Sequence, residues 1–265
     1  MPTTDAPAPP RPWLRLDAVG KTFGDAQQET RALERIDLDV REGEFLAIVG
    51  PSGCGKSTLL QIAAGLAPPS RGQVSFDGRD VQGPPEGIVY MFQQYAKSLF
   101  PWRTVIDNVA FAVEHRIGRA AAREHGRRYL RMVGLADVEQ RFPAQLSGGM
   151  QQRVTIARAL AAEPRVLLMD EPFSSVDALT RIELHTMVQD LWTQHRFTAV
   201  LVTHDVDEAV FLADRIAVLS ARPSTVVQVF DSGLPRPRDK LVTPELPRYL
   251  ALRHELLARL LGRAA

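Results

Sequence analysis

The sequence contains one cysteine, Cys54, among its 265 residues. A single thiol excludes an internal disulfide and any metal site built from several cysteines. No apolar run approaches the length of about 20 residues that a membrane-spanning helix needs. The first twelve residues, MPTTDAPAPPRP, are rich in proline and lack the apolar stretch of a signal peptide. They predict a disordered lead-in over residues 1–12.

The sequence also lacks an excess of charge of one sign, because it contains 32 Lys and Arg residues and 31 Asp and Glu residues. A balanced charge gives no support for a nucleic-acid groove or a basic membrane-binding surface. The length suits one large α/β domain, or a core with a smaller inserted lobe. Together these features predict a soluble cytosolic protein.

The most informative motif that is present is GPSGCGKST, residues Gly50 to Thr58, between the apolar run FLAIV and an apolar helical segment. Glycines let successive backbone N–H groups point into one concavity at a helix N-terminus, which favours phosphate. A plain glycine turn is the alternative, but the full pattern favours a nucleoside triphosphate site. The predicted nucleotide-binding residues of this loop are Gly50, Ser52, Gly53, Cys54, Gly55, Lys56, Ser57 and Thr58.

Three of these residues have a more specific predicted role. Lys56 supplies a positive charge for the β- and γ-phosphates, and Ser57 supplies a hydroxyl for Mg²⁺. Cys54 lies among backbone amides at a helix N-terminus, a position that favours the reactive thiolate. We therefore expect alkylation of Cys54 to block nucleotide binding.

A pair of carboxylates follows the buried strand VLLM, at Asp170 and Glu171. Ligands bind at the carboxyl ends of the strands in open parallel sheets. Asp170 is predicted to hold Mg²⁺, and Glu171 is predicted to activate an attacking water. An acidic pair that caps a helix is the alternative reading.

A second phosphate-facing helix start lies at LSGGMQQR, residues 146–153. Following a glycine-rich triphosphate loop and preceding VLLMDE, this motif resembles the signature of the ATP-binding-cassette (ABC) ATPases. The resemblance runs from about Leu14 to Val229. It implies that each ATP is sandwiched between two copies of the chain, so that Ser147, Gly148, Gly149 and Gln151 of one copy complete the site of the other.

The resemblance also assigns residues outside these motifs. Phe23 matches the aromatic residue that stacks on adenine, although a strand aromatic in the core is the alternative. Gln93 matches the glutamine that links Mg²⁺ and the attacking water to the helical lobe, whereas Gln94 is a weaker candidate. Asp177 matches the aspartate of a loop at the dimer interface, with Val176 where the family usually has leucine. His204 matches the histidine that contacts the γ-phosphate.

Alternating strands and helices predict an α/β fold, a P-loop NTPase core with a mostly parallel sheet. An antiparallel β lobe and an inserted α-helical lobe complete the expected architecture. The ATPase domain is predicted over residues 13–230, with the helical lobe at about 95–146. A hairpin turn is predicted at residues 24–30. A short C-terminal extension, 231–265, carries one amphipathic helix that we expect to begin at Pro244, with Thr243 as its cap.

The apolar motif SLFPW, Ser98 to Trp102, follows Gln93 on a predicted loop. Its apolar side chains either fill the lobe or form a surface that receives a helix of a membrane subunit. Together with EPFSSVDALTR, LVTHDVDEAV and PRPRD, it resembles the ATPase subunits of importers for nitrate, alkanesulfonates, taurine and related small solutes. Relatives that carry thiamine-precursor pyrimidines or unknown solutes share this pattern.

This resemblance implies ATP and Mg²⁺ as cofactors and ATP hydrolysis coupled to solute import. The implied partners are a second copy of the chain, membrane permease subunits and, indirectly, a solute-binding protein, with no nucleic acid. The implied location is the cytoplasmic face of the inner membrane. Two alternatives stay open: a soluble cassette ATPase acting on nucleic acid or ribosomes, and a small-molecule kinase.

Overall fold

The computed structural model describes residues 12–24 and 29–262. Residues 1–11 of the predicted lead-in, residues 25–28 of the predicted hairpin turn and residues 263–265 lie outside this part of the chain. Pro12 is the first residue of a strand, so its assignment to a disordered lead-in is wrong.

The described residues form ten strands and eight α-helices. The strands are β1 (Pro12–Phe23), β2 (Thr30–Arg41), β3 (Phe45–Val49), β4 (Arg71–Phe76), β5 (Arg79–Asp80), β6 (Ile88–Met91), β7 (Val166–Asp170), β8 (Thr198–Thr203), β9 (Arg215–Leu219) and β10 (Ser224–Asp231). The helices are α1 (Lys56–Ala63), α2 (Tyr95–Ser98), α3 (Val105–Ile117), α4 (Arg119–Met132), α5 (Gly148–Ala161), α6 (Ala178–His195), α7 (Val206–Leu212) and α8 (Pro247–Leu260).

All ten strands belong to one sheet, in the order β5-β4-β1-β2-β10-β9-β3-β8-β7-β6. The strands β9, β3, β8, β7 and β6 pair in parallel, whereas β2, β1, β4 and β5 pair antiparallel. β10 joins the two regions, since it pairs parallel to β2 and antiparallel to β9. The predicted α/β fold with a mostly parallel core and an antiparallel lobe is confirmed.

The central strands β3, β7 and β8 are buried on both faces, which explains why they read as continuous apolar runs. Along β3, Phe45, Ala47 and Val49 face one hydrophobic cluster, which also contains residues of α3 to α8. Leu46 and Ile48 face a second cluster, which contains residues of α1, β1 and β2. The sheet therefore separates two cores, and its carboxyl edge carries the residues discussed below.

The helices between β6 and β7 form the helical part of the fold. Thr104 caps α3 by accepting a hydrogen bond from the backbone N–H of Asp107. α3, α4 and α5 pack on one another, and α5 also contacts β6 of the sheet. This packing agrees with a helical lobe, and we retain residues 95–146 as its proposed extent.

The last part of the chain differs from the prediction in two ways. The strand β10 was not predicted from the sequence. The final helix begins at Pro247, because Thr243–Glu245 form a separate 3₁₀ turn, so the predicted start at Pro244 is wrong. Its buried stripe consists of Tyr249, Leu252 and Leu256, and Leu250 is exposed. Among the described residues, no helix combines the length and apolarity that a bilayer crossing requires.

Candidate active site

The glycine-rich loop lies between β3 and α1, at the carboxyl edge of the parallel strands. Gly55 precedes α1 with φ +106°, and a Cβ there would lie 3.0 Å from Leu33 Cδ2 and 3.3 Å from the carbonyl oxygen of Ala32. Glycine is therefore required at this position by both backbone conformation and space. Ser224 supports the loop, because its hydroxyl donates to the carbonyl oxygen of Cys54 at 2.5 Å and lies 3.2 Å from that of Ala32.

A cleft of about 480 Å³ opens over this loop. Its lining residues come from the glycine-rich loop, the ends of β6, β7 and β8, and the connection between β9 and β10. They are Ser52, Gly53, Gly55, Lys56, Ser57, Thr58, Gln93, Glu171, His204 and Arg222. The fold thus brings most of the residues predicted around the triphosphate into one cleft.

Lys56 is buried in the floor of this cleft, where its Nζ donates to the carbonyl oxygens of Gly50 and Pro51 at 2.9 and 3.1 Å. These contacts place the ammonium group beside the backbone N–H groups at the start of α1. A positive charge next to a helix N-terminus makes this end of the cleft suited to a polyanion.

Ser57 lines the cleft, and its Oγ donates to Oδ1 of the buried Asp170 at 2.9 Å. The other carboxylate oxygen, Asp170 Oδ2, accepts a hydrogen bond of 2.9 Å from the hydroxyl of Tyr90. Burial raises the pKa of Asp170, although the two hydroxyl groups oppose this effect. A nearby cation stabilises the ionised form of a carboxylate in such a buried position. Tyr90 was not identified from the sequence, because no motif marks it.

Two side chains contact the same carboxylate oxygen of Glu171. Gln93 Nε2 donates to Glu171 Oε2 at 3.2 Å, and His204 Nδ1 lies 3.1 Å from the same oxygen. Glu171 has a φ of +45°, which is unusual for a residue with a side chain. Its backbone N–H donates to the carbonyl oxygen of Val202, which fixes this conformation. Strain of this kind is typical of functional sites, because it aims a side chain where ordinary backbone would not.

Cys54 lies in the loop but contributes no side-chain atom to the lining of the cleft. The residue is 1% exposed, and burial raises the pKa of its thiol despite the nearby positive charge of Lys56. The expected reactive thiolate is therefore wrong: Cys54 packs beneath the loop as a small apolar side chain.

The signature residues occupy the start of α5. Ser147 caps this helix by accepting a hydrogen bond from the backbone N–H of Met150 at 3.3 Å, and Gly148 is exposed beside it. A Cβ on Gly149 would lie 2.5 Å from Thr180 Cγ2, so only glycine fits there. Gln151 turns back into the loop, where its Nε2 donates to the carbonyl oxygens of Pro143 and Leu146.

Asp177 caps α6 by accepting a hydrogen bond from the backbone N–H of Thr180 at 3.0 Å. Hydrogen bonds from Thr180 lower the pKa of Asp177. Since Thr180 also faces Gly149, the start of α6 adjoins the start of α5. Within the described residues, neither Asp177 nor the four signature residues line the cleft.

Phe23 is the last residue of β1 and is 47% exposed. Its ring lies beside the ammonium group of Lys21, 5.3 Å from the ring centroid. An exposed aromatic ring at this position does not serve as a core residue, which removes the main alternative to a stacking role.

One lining residue was not predicted at all. Arg222 lies in the connection between β9 and β10, where it is exposed. Its positive charge is close enough to lower the pKa of Cys54, against the larger effect of burial. No motif surrounds Arg222 in the sequence, so only the fold could reveal that it faces the triphosphate loop.

These features define a P-loop enzyme whose cleft has a phosphate cradle, a hydroxyl–carboxylate pair and a glutamate positioned by two side chains. Comparison with known proteins identifies the class more closely. The sequence profile of the ABC transporter family matches residues 33–174. The chain belongs to the ABC transporter family and is one of its ATP-binding, ATP-hydrolysing cassettes.

Individual relatives cover most of the chain. The nitrate import ATP-binding protein NrtD of Synechococcus elongatus is 42% identical over 96% of this chain and 93% of its own. The aliphatic sulfonates import ATP-binding protein SsuB 1 of Xanthomonas axonopodis pv. citri is 48% identical over 86% of this chain and 88% of its own.

The fold also matches solved structures of the bacterial ABC transporter cassette MJ0796. A dimeric structure of that cassette superposes with a TM-score of 0.73 at 32% identity, covering 82% of this chain and 98% of the other. A second dimeric structure, of a post-hydrolysis state bound to ADP and Pi, gives a TM-score of 0.72 at the same identity and coverage.

Proposed function

We propose that this chain is the ATP-hydrolysing subunit of an importer for a small solute of the nitrate, sulfonate or taurine kind. The observation that carries the hydrolytic part is the convergence of Gln93 and His204 on one oxygen of Glu171, at the mouth of the triphosphate cleft. The names of NrtD and SsuB 1 support import and the type of solute. The same names favour import over an action on nucleic acid or ribosomes.

The residues at the cleft fit Mg²⁺. Ser57 Oγ and Asp170 Oδ1 offer two oxygens, and the amide of Gln93 offers a third nearby. Within the described residues, no group of three or more His, Cys, Asp or Glu side chains forms a complete metal site. A site with one carboxylate suits Mg²⁺, which usually enters with the phosphates of its nucleotide. The bound ion supplies charge neutralisation at the β- and γ-phosphates.

In the proposed reaction, Glu171 accepts a proton from water as the water oxygen attacks the γ-phosphorus. The bond between the γ-phosphorus and the bridging oxygen breaks, and that oxygen leaves with ADP. Lys56 and the backbone N–H groups of the loop stabilise the negative charge on the phosphates. His204 orients Glu171 and contacts the γ-phosphate, and Phe23 stacks on adenine.

The cleft of one chain is incomplete, because no signature residue lines it. We infer that a second copy supplies Ser147 and Gly149 in trans, in a head-to-tail dimer with two sandwiched ATP molecules. The exposed start of α5, next to Asp177, provides the matching surface. The dimeric structures of MJ0796 support this arrangement.

A groove of about 560 Å³ beside Gln94 is the proposed docking site for a helix of a permease subunit. Its walls come from β6, α2, α3 and α5, and they include Phe92, Ala112 and Ala159. The motif SLFPW lies next to this groove, and its side chains differ in exposure. Leu99 is 4% exposed, whereas Trp102 is 72% exposed. Leu99 is therefore a core residue, and Trp102 is the candidate for the partner surface.

Through this groove the chain would be held at the cytoplasmic face of the membrane, with a solute-binding protein acting on the far side. The test is co-expression with a multi-span permease encoded beside its gene, with the affinity tag on the permease. We expect the chain to co-purify, and vesicles containing the complex to hydrolyse ATP and accumulate nitrate or an alkanesulfonate. Lys56→Ala is the control that should assemble but not transport. Co-purification with ribosomes and not with the permease would contradict the proposal.

A further inference from the structure

The helix α7 begins two residues after His204, so its placement determines where that histidine points. Asp205 caps the helix by accepting a hydrogen bond from the backbone N–H of Glu208 at 3.1 Å. With seven residues, α7 is too short to be stable by itself and depends on its neighbours. Those neighbours are β3 and β8 of the sheet, α6, and residues 232–262. The last of these is a segment that no part of the proposed reaction uses.

Two arginines of the PRPRD motif cap the C-terminal end of α7. Arg238 Nη1 donates to the carbonyl oxygens of Phe211 and Ala213 at 2.8 and 2.9 Å, and it lies 3.3 Å from the carbonyl oxygen of Val210. Arg236 Nη2 donates to the carbonyl oxygen of Leu212 at 2.7 Å. Carbonyl groups at the end of a helix lack partners within the helix, and positive charge is favourable there.

The burial of Arg238 shows that this cap is built into the core. Its side chain is 0% exposed, and burial lowers its pKa to about 10, which leaves the guanidinium charged at neutral pH. A buried charge is retained only where several groups compensate it. For Arg238, those groups are the carbonyl oxygens at the end of α7, the hydroxyl of Ser232 at 2.9 Å and the carboxylate of Asp214 at 3.8 Å.

A second contact holds the middle of α7. Glu208 Oε1 lies 2.7 Å from His185 Nε2, and His185 Nδ1 lies 2.8 Å from Lys240 Nζ. An ammonium group can only donate, so Nδ1 accepts and Nε2 donates to the carboxylate of Glu208. Burial lowers the pKa of His185, which favours this neutral ring. Because His185 lies on α6, the cluster ties α7 to the helix that begins after Asp177.

A third contact holds the first turn of α7. The hydroxyl oxygen of Tyr249 lies 3.1 Å from both Asp207 Oδ1 and the carbonyl oxygen of Asp207, and its single proton is donated to this pair of acceptors. Arg253 Nε lies 2.8 Å from Asp207 Oδ1. The segment 232–262 thus contacts the first turn, the middle and the end of α7.

We propose that this segment is a clamp that positions His204 for hydrolysis, with Arg238, Lys240 and Tyr249 as positioning residues. The inference rests on the proposed role of His204. None of the three residues lines the triphosphate cleft. Loosening the clamp should therefore lower the turnover of bound ATP without weakening ATP binding.

The test measures steady-state ATP hydrolysis by the full chain carrying Lys240→Met, Tyr249→Phe or Arg238→Met. We expect kcat to fall about tenfold or more, because small displacements of a catalytic group have effects of this size. KM for ATP and the affinity for a fluorescent ATP analogue should stay within about twofold of the original. Glu255→Gln is the matched control, since Glu255 is an exposed residue of α8 outside the contacts to α7 described above.

Thermal unfolding of each variant distinguishes a loss of folding from a loss of catalysis. This matters because Arg238→Met removes a buried charge and can prevent folding. If Arg238→Met does not fold, Lys240→Met and Tyr249→Phe still test the clamp, because they remove smaller contacts. If it folds, Arg238→Lys should have a higher kcat than Arg238→Met. Unchanged kcat in folded Lys240→Met and Tyr249→Phe would overturn the clamp, and so would a rise in KM that matches the loss of kcat. His204→Ala tests the underlying role separately: retained hydrolysis there would remove the role of His204 whatever the clamp variants show.

Discussion

At the scale of single residues, Cys54 shows how burial can override a favourable position. The sequence places it at a helix N-terminus, where thiolates are stabilised, but the fold leaves it 1% exposed and burial raises its pKa. A thiol whose pKa is raised holds less thiolate at any given pH. We expect a maleimide at pH 8 to label the native chain on the order of a hundredfold more slowly than the urea-unfolded chain, because labelling needs local opening.

Cys54→Ala is the companion variant in this experiment. It should retain ATP binding, since the thiol does not line the cleft, and it gives the background of the labelling assay. Equal labelling rates for native and unfolded chains would show that Cys54 is open to solvent after all.

Arg222 is the cleft residue for which the fold supplies information that the sequence lacks. A cation that faces a triphosphate typically contributes about 1.5–3 kcal/mol through a charge-assisted hydrogen bond. We expect Arg222→Ala to raise the Kd for Mg-ATP by about tenfold or more, measured with a fluorescent ATP analogue. Arg79→Ala removes an exposed arginine from β5, outside the cleft, and should leave the Kd unchanged. The same Kd for both variants would place Arg222 away from the phosphates.

At the scale of elements, periodicity and motif context predicted the parallel core well. The predicted buried strand VLLM is part of β7, because a buried strand is a continuous apolar run that ends at polar residues. β10 was missed because its exposed Val227 and Gln228 break any simple alternation. The start of α8 was misplaced because Pro244 and Pro247 both satisfy the preference for proline in the first turn.

The residues of the candidate site also fall into two groups, those that the sequence revealed and those that it did not. Residues inside a motif, such as Lys56, Ser57 and His204, were found because their spacing marks them. Tyr90 and Arg222 were not found, since they reach the site only through the pairing of β6 with β7 and the turn after β9. Contacts that depend on tertiary structure leave no local pattern in one sequence.

The SLFPW motif offers a prediction about one surface element. Leu99 is buried, so Leu99→Ala should destabilise the chain by about 2–5 kcal/mol. Trp102 is largely exposed, so Trp102→Ser should change stability by at most about 0.5 kcal/mol while reducing co-purification with the permease. Thermal unfolding and the tagged-permease assay measure the two effects. Normal assembly of Trp102→Ser would remove this residue from the docking surface.

Phe100 is not a suitable substitution for that experiment. Its ring is half-buried and packs edge-on against Phe111, with centroids 4.7 Å apart. A change at Phe100 would alter packing and surface together, whereas Trp102 and Leu99 separate the two.

At the scale of the whole molecule, each copy has a cleft and a signature that do not meet within one chain. The proposed catalysis therefore depends on two linked features: Glu171 activates water, and the partner's signature closes the site. Changing Glu171 to Gln keeps the shape, removes the base and relieves negative charge near the triphosphate. Losing a general base lowers the rate by about a hundred- to ten-thousand-fold.

The most direct measurement is light scattering of purified Glu171→Gln with and without Mg-ATP, alongside its rate of hydrolysis. We expect almost no turnover and a dimer that accumulates only with ATP, because hydrolysis no longer opens it. Adding Ser147→Arg should abolish this dimer, since the larger side chain would fill the contact with the partner's phosphates. Hydrolysis retained in Glu171→Gln would contradict the role of Glu171 as the base. An ATP-dependent dimer that survives Ser147→Arg would contradict the closure of each site by its partner.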